Sequence, residues 1–505
     1  MKARRKFFCG LLLILFVALD CYMLFHNLGK GYLIQTDEAY HATNAYEMYK
    51  QGNWIVNSYR YEVDYFNSKP PISLDLMVIL YKIFGVSNFA ARLPSALGGF
   101  VTCLVIITFL IRDRKQCAAV LFPVLLAACS SLFTFHMYRA AEMDSMYNLF
   151  FVIAMIALYE MTKDPCFMFV YGASLGLAFM CKGPHAALIF VIGLLYIPKI
   201  KNAFASIMRV VASAILAVII PVVWIVKRYL FDGTKLFEAL FGREVTGRLS
   251  DADHGAELPW VDLVTSQIFT IFMVVIVLFI IVVVISARDF RRVFRMIIEF
   301  AGDNYLFAIW VVVPVIFFSI TRSYLTWYTY TSFIALSILT ARVVDYCVRC
   351  ARRNESISKI RVNCGKALGA IIPIVVIMLA FISIIPTITK IKSDGTGGLP
   401  VDQFTYDIEG FKEKYGDTYA GVNAYLIADF LIGTGNVDHW EPEYVAPAEM
   451  YLDLMPVDGM LGDFLHDPDA ILILDKKRWD DYAEVLTGHV ILYDNEYMFF
   501  TNDMY

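Results

Sequence analysis

Two carboxylates stand side by side in Thr36-Asp37-Glu38-Ala39-Tyr40-His41, just after the first long apolar run of the chain. A carboxylate at the mouth of a membrane can take the proton of an attacking hydroxyl. The same residues could instead open a capped helix at the interface, with Thr36 or Asp37 as its N-cap. Further on, Ser68-Lys69-Pro70-Pro71 sets a cation ahead of a rigid Pro-Pro, where it could hold a phosphate or snorkel from a helix end. Arg92, Arg139, Glu142, Asp144, Lys182 and Arg322 fall at membrane depth. Ionisable groups there are costly and mark a polar cavity by default. The plain alternative is a helix end reaching the interface, which suits Arg92 better than Lys182. Carboxylates, cations and a polar cavity together suit transfer of a group from a lipid phosphate: the carboxylate takes the acceptor's proton and the cations hold the leaving phosphate. His-x-x-Glu-His, Gly-x-Ser-x-Gly and Walker-type motifs are absent, which disfavours hydrolases and ATP-driven machines.

The elements that must position these residues are transmembrane helices. Of 505 residues, 59% are hydrophobic and 18% charged, too apolar for a water-soluble chain. The apolar residues come in long runs, and a helical span needs about 20 of them. The first run, Phe7 to Phe25, lacks a small-x-small cleavage site downstream and reads as a retained helix. Basic clusters at Lys2–Lys6, Arg112–Lys115, Lys163, Lys199–Lys201, Arg288–Arg295 and Arg349–Arg361 mark cytosolic turns. On that bias the chain has about eleven to thirteen crossings. They are expected at 7–26, 92–111, 117–137, 145–162, 167–181, 185–198, 205–230, 261–286, 304–320, 326–347 and 366–388. The N-terminus is then cytosolic and the tail external. Segments 39–51 and 71–84 read as helices lying at the external interface.

The expected fold is an all-α polytopic membrane domain over 1–389, followed by a small soluble α/β domain over 390–505 outside the cytosol. In the tail, Ala470–Leu474 is a buried-strand run and Lys477–Leu486 an amphipathic helix. Val490–Tyr493 and Tyr497–Phe500 form a hairpin around Asp494-Asn495-Glu496. The tail carries no cysteine and no catalytic constellation, and its acidic excess excludes nucleic acid as a partner.

The stretch from Thr36 to Leu97 resembles the first external loop of GT-C membrane glycosyltransferases. It is most similar to the branch of protein O-mannosyltransferases and bacterial lipid A aminoarabinose transferases. The resemblance is carried by Asp37-Glu38, Gly52-Asn53-Trp54, Lys69-Pro70-Pro71, Phe84-Gly85-Val86 and Arg92-Leu93-Pro94-Ser95-Ala96, in that order. It continues through Arg139 with Asp144, Lys182-Gly183, Arg243-Glu244, Arg248, His254, Pro259-Trp260, Ser319–Arg322 and Tyr328. It implies a polyprenyl-phosphate-linked sugar as donor, transfer on the external face, and a bacterial plasma membrane as location. Asp37 is then the base, with Glu38 orienting it and Asp144 as a second carboxylate of the cavity. Lys69 and Lys182 become phosphate ligands, with Arg139, Arg322, Tyr40 and Tyr328 as further donor-site candidates. Arg243, Glu244, Arg248 and His254 are candidates for an acceptor loop.

Tyr40 stands where the aminoarabinose transferases carry Arg, so one phosphate contact is either missing or supplied by Arg139 or Arg322. Ser68 stands where they carry Glu, so a metal site shared by that Glu and His254 loses a ligand. No metal or cofactor is required for charge, although Asp37 and Glu38 offer carboxylates to a divalent cation. The acceptor (lipid, glycan or protein) is left open. The alternative reading is a transporter or flippase of a lipid-linked sugar; against it, the polar residues gather on one face and no paired repeats occur.

Overall fold

The computed structural model describes residues 2–33, 35–199, 203–242, 258–320, 324–353, 358–393, 400–428 and 440–504. The early helices are α1 (Lys2–Phe25), α2 (Thr36–Gln51), α3 (Ile72–Phe84), α4 (Asn88–Arg112), α5 (Gln116–Ala127), α6 (Ser131–Thr134) and α7 (Asp144–Met161). Next come α8 (Phe167–Lys182), α9 (Ala187–Tyr196), α10 (Ala203–Asp232), α11 (Lys235–Ala239), α12 (Pro259–Thr265), α13 (Gln267–Ser286) and α14 (Phe290–Asp303). The last of the membrane region are α15 (Tyr305–Ile320), α16 (Tyr330–Arg352) and α17 (Lys359–Ser393). The tail adds α18 (Pro400–Tyr415), α19 (Pro442–Leu452), α20 (Leu461–Leu465) and α21 (Trp479–Leu486). Strands β1 (Ser58–Tyr59) and β2 (Glu62–Val63) form a hairpin, and β3 (Asn423–Ile427), β4 (Met455–Pro456), β5 (Ile471–Asp475), β6 (His489–Asp494) and β7 (Tyr497–Met504) form a second sheet.

Contacts divide the chain into two interleaved units. The first holds Met1–Asn27, Ser68–Ser73 and Pro94–Ser393; the second holds Leu28–Asn67, Leu74–Leu93 and Asp394–Tyr505. Residues 28–67 and 74–93 thus group with the tail, a grouping that no shift in composition announces.

In the first unit each expected crossing falls on helix, but not every one is a full span. Among the described residues, eight helices are long and apolar enough to cross a membrane, and nine if α14 and α15, bent by 64°, count together. The expected pair 167–181 and 185–198 is one apolar run, Phe167–Lys199, because the turn at Gly183–Ala186 continues the helix rather than reversing it. The expected span 117–137 breaks after α5, whose 12 residues are too short to cross about 30 Å of hydrocarbon.

Without a hydrophobic drive between helices in lipid, small residues let backbones approach. Gly172 and Gly176 of α8 do this against α10: a Cβ on either would lie 2.5 Å from the Ser213 carbonyl oxygen or 2.6 Å from that of Ala217. The basic cluster Arg112–Lys115 meets a buried lock. Arg342 of α16, 1% exposed, donates to Asp113 (2.7 Å), to the Asn304 side chain (2.5 Å) and to the Asp303 carbonyl (3.3 Å). A buried cation survives only when so fully bonded.

The tail is a three-layer α/β/α arrangement. The sheet order is β4-β3-β5-β7-β6, with β3 parallel to β4 and β5, and β7 antiparallel to β5 and β6. Alternation along each strand sends Leu426, Ile471, Ile473 and Phe499 toward α18 and α19. It sends Ile427, Leu472, Leu474 and Phe500 toward α20 and α21. Burial on both faces explains why β5 reads as a continuous apolar run. The expected strand, helix and hairpin are all present; β3 and β4 were not anticipated.

Candidate functional site

In the first unit, the sequence candidates Lys69, Asp144, Lys182 and Tyr328 converge. Asp144 opens α7, where the helix dipole favours an anion, and Lys182 closes α8, where it favours a cation. Their side chains, about 5% exposed, form a buried ion pair. The Lys182 ammonium lies 4.8 Å from the ring centre of Tyr328 and 5.9 Å from that of Tyr147, within reach of the negative ring faces. Gly183, at φ +57°, allows the turn that follows. Pro70 packs 3.8 Å from where a Gly183 side chain would begin, so the Lys69-Pro70 segment abuts this turn. The charges of Lys69 and Glu142 both act on Lys182. Asp144, expected as a cavity carboxylate, is the counter-ion of Lys182.

Other first-unit groups have defined tasks. Arg139 donates through one Nη to the carbonyls of Met23 (3.0 Å), Leu24 (3.2 Å) and His26 (2.8 Å), closing the C-terminal end of α1. His136 was not singled out from the sequence. Its Nδ1 lies 3.2 Å from Glu142, and its ring stacks on Trp327 at 3.7 Å with 3° between planes. Nothing in its spacing distinguished it from a core residue.

In the second unit, Asp37 and Glu38 lie in the first turn of α2 and have different fates. Asp37 is exposed. Glu38, 3% exposed, receives Arg92 Nε at 2.7 Å and Nη2 at 3.1 Å, a two-pronged ion pair. Arg92 also donates to the carbonyls of Leu28, Lys30, Gly31 and Tyr32. Arg92 is therefore a buried clamp on the 28–32 segment and not a helix end reaching the interface. The N-cap of α2 is Gln35, with no side-chain cap bond, rather than Thr36 or Asp37. Tyr40 stacks on Tyr59 at 4.1 Å, and burial with nearby Asp64 pushes its hydroxyl well above its ordinary pKa. Arg243, Glu244, Arg248, His254 and Arg322 lie outside the described residues.

The fold is that of the GT-C membrane glycosyltransferases, the class the first-loop motifs resemble. ArnT from Cupriavidus metallidurans bound to undecaprenyl phosphate superposes with a TM-score of 0.71 at 15% identity, over 97% of this chain and 98% of that one. Its apo structure gives 0.66. The family described as dolichyl-phosphate-mannose-protein mannosyltransferase matches residues 68–225, a stretch that holds Lys69, Arg139, Asp144 and Lys182 but not Asp37. An undecaprenyl phosphate-alpha-4-amino-4-deoxy-L-arabinose arabinosyl transferase of Proteus mirabilis is 27% identical over 66% of this chain and 59% of its own length. Its counterpart in Photorhabdus laumondii is 25% identical over 63% and 56%. An uncharacterized protein of Aquifex aeolicus is 26% identical over 46% of each chain, so the match spans about half the length of these curated relatives. With its apolar helices, a chain of this fold is an integral membrane protein.

Proposed function

We propose that this protein is a glycosyltransferase that takes a sugar from a polyprenyl-phosphate donor and passes it to an acceptor on the extracytoplasmic face of a bacterial plasma membrane. The observation that carries this reading is the buried Lys182–Asp144 pair, with Lys69 acting on it electrostatically and Tyr328 over its cation. A lysine at membrane depth offers three N–H donors; Asp144 takes one, and the others suit phosphate oxygens. Names of the relatives support undecaprenyl phosphate as the lipid.

The acceptor hydroxyl oxygen attacks the anomeric carbon while Asp37 takes its proton. The bond from that carbon to the phosphate oxygen breaks, and its electron pair leaves with the phosphate, whose charge Lys69 and Lys182 meet. No divalent cation is needed for that charge. With one carboxylate acting as base and none as covalent nucleophile, a single displacement inverts the anomeric configuration. The exposed position of Asp37 in its motif supports the base assignment. Glu38 is left to Arg92 and orients the turn.

The test is release of free undecaprenyl phosphate from donors carrying aminoarabinose or mannose. Asp37→Asn keeps the shape and an acceptor oxygen but removes the base that takes the proton, so turnover should fall by about 10²-fold or more with folding intact. Near-normal turnover would sink the base assignment. Retention at the anomeric carbon, read by NMR of the product, would sink the single displacement.

A further inference from the structure

Helix α2 begins without a side-chain cap, yet carries Asp37 in its first turn. The first turn of any helix leaves backbone N–H groups unpaired and frays unless held. Here the hold comes from the tail. The Thr36 hydroxyl donates to Oε1 of Glu443, in the first turn of α19. Glu443 is 6% exposed, and its second oxygen is buried without a donor among the described residues. Asp37 from α2 acts on Glu443 electrostatically, and Glu443 in turn acts on Tyr59 of β1 and on Tyr444 beside it. Burial sets Glu443 above the usual carboxylate range.

Three more contacts show that α19 lies along α2 rather than touching it once. Glu47 and Glu449 face each other, and Asp453 at the end of α19 accepts from Tyr46 (2.6 Å) and Lys50 (2.7 Å). Contacts in the order 36, 47, 50 against 443, 449, 453 make the two helices parallel.

We propose that Glu443, from the C-terminal domain, is a positioning residue for Asp37. It pins the first turn of α2 through Thr36 and so holds the Asp37 carboxylate in place for proton transfer. The tail then has a task in the reaction although it carries no catalytic group of its own. This rests on Asp37 as the base.

The test uses the full chain purified in detergent, with Thr36→Val, Glu443→Ala, the double variant and Glu443→Gln. Hydrogen exchange needs no donor: amides at Ala39–His41, the first with helical partners, should exchange roughly tenfold faster in Glu443→Ala and Thr36→Val, and stay protected in Glu443→Gln, which keeps an acceptor oxygen. With undecaprenyl-phosphate aminoarabinose or mannose, whichever wild type turns over, kcat should fall about tenfold in each single variant with donor KM unchanged. The double variant should be no worse than either single one, and Glu443→Gln should restore most of kcat. Unchanged exchange, additive losses, or no rescue by Gln would overturn the proposal. If Asp37→Asn stays active while Glu443→Ala still loosens the turn, it is the base assignment that falls and not the pin.

Discussion

The facing carboxyls of Glu47 and Glu449 give a pH-dependent attachment between α2 and α19. Both side chains are fully buried. Glu47 accepts from the Ser58 hydroxyl (2.6 Å) and from the backbone N–H of Arg60 (2.5 Å) and Tyr61 (2.6 Å). Among the described residues Glu449 meets no N–H donor, and it faces the Glu47 carboxyl. The nearby charges are Arg60, which favours ionised Glu449, and Asp453, which opposes it. Two carboxylates in contact cannot both ionise cheaply, so the pair shares one proton. Burial raises both groups, Glu47 to about 7 from 4.5, and Glu449 well above its ordinary value.

A carboxyl with a raised folded-state pKa stabilises fully below its unfolded pKa, and the contribution is lost as pH rises through the folded pKa. Each pKa unit corresponds to about 1.4 kcal/mol, so the shift of Glu47 is worth about 3 kcal/mol at most. About 2 kcal/mol of that disappears between pH 5.5 and 8, a roughly thirty-fold increase in local opening. Hydrogen exchange of α2 and α19, corrected for the intrinsic pH effect, measures it directly. The double variant Glu47→Gln with Glu449→Gln has neither titrating carboxyl, so its protection should be flat across this range. A flat profile in wild type, or parallel losses in both proteins, would refute the shared proton.

Lys69→Ala should impair use of the lipid donor about tenfold or more, and Lys69→Arg should rescue poorly because a guanidinium is broader and Pro70-Pro71 pins the position; donor kinetics equal to wild type would make Lys69 a helix anchor. Asp144→Asn or Lys182→Met alone strands a buried charge and should cost about 3–5 kcal/mol, while the double variant recovers most of it; thermal unfolding in detergent separates the three, and additive losses would count against the pair. Gly176→Val should push α8 from α10 and cost about 1–3 kcal/mol, read by the same unfolding assay, because its side chain would meet the Ala217 carbonyl. A cysteine replacing Glu484 in a thiol-free background should react with an impermeant maleimide in intact cells; labelling only after permeabilisation would reverse the proposed orientation.

Much of this molecule is written in one dimension. Long apolar runs make membrane helices because lipid offers the backbone no other partner, and that signal is local. The order of Asp37-Glu38, Lys69-Pro70-Pro71 and Arg92–Ala96 was equally visible, as was the alternation in β5 to β7. The number of full spans was less legible: whether Gly183 reverses the chain or continues it depends on what packs against the turn. The uses of the charged residues were decided only by tertiary structure. Glu38 and Arg92, Asp144 and Lys182, and Thr36 and Glu443 are each far apart in the chain, and no local pattern encodes which carboxylate will be buried and which left exposed. Ion pairs and buried carboxyls are set by who is brought close and how much water is removed, and both are properties of the folded chain. That is why adjacent Asp37 and Glu38 looked alike in the sequence, and why the tail showed no link to α2 until α19 was seen lying along it.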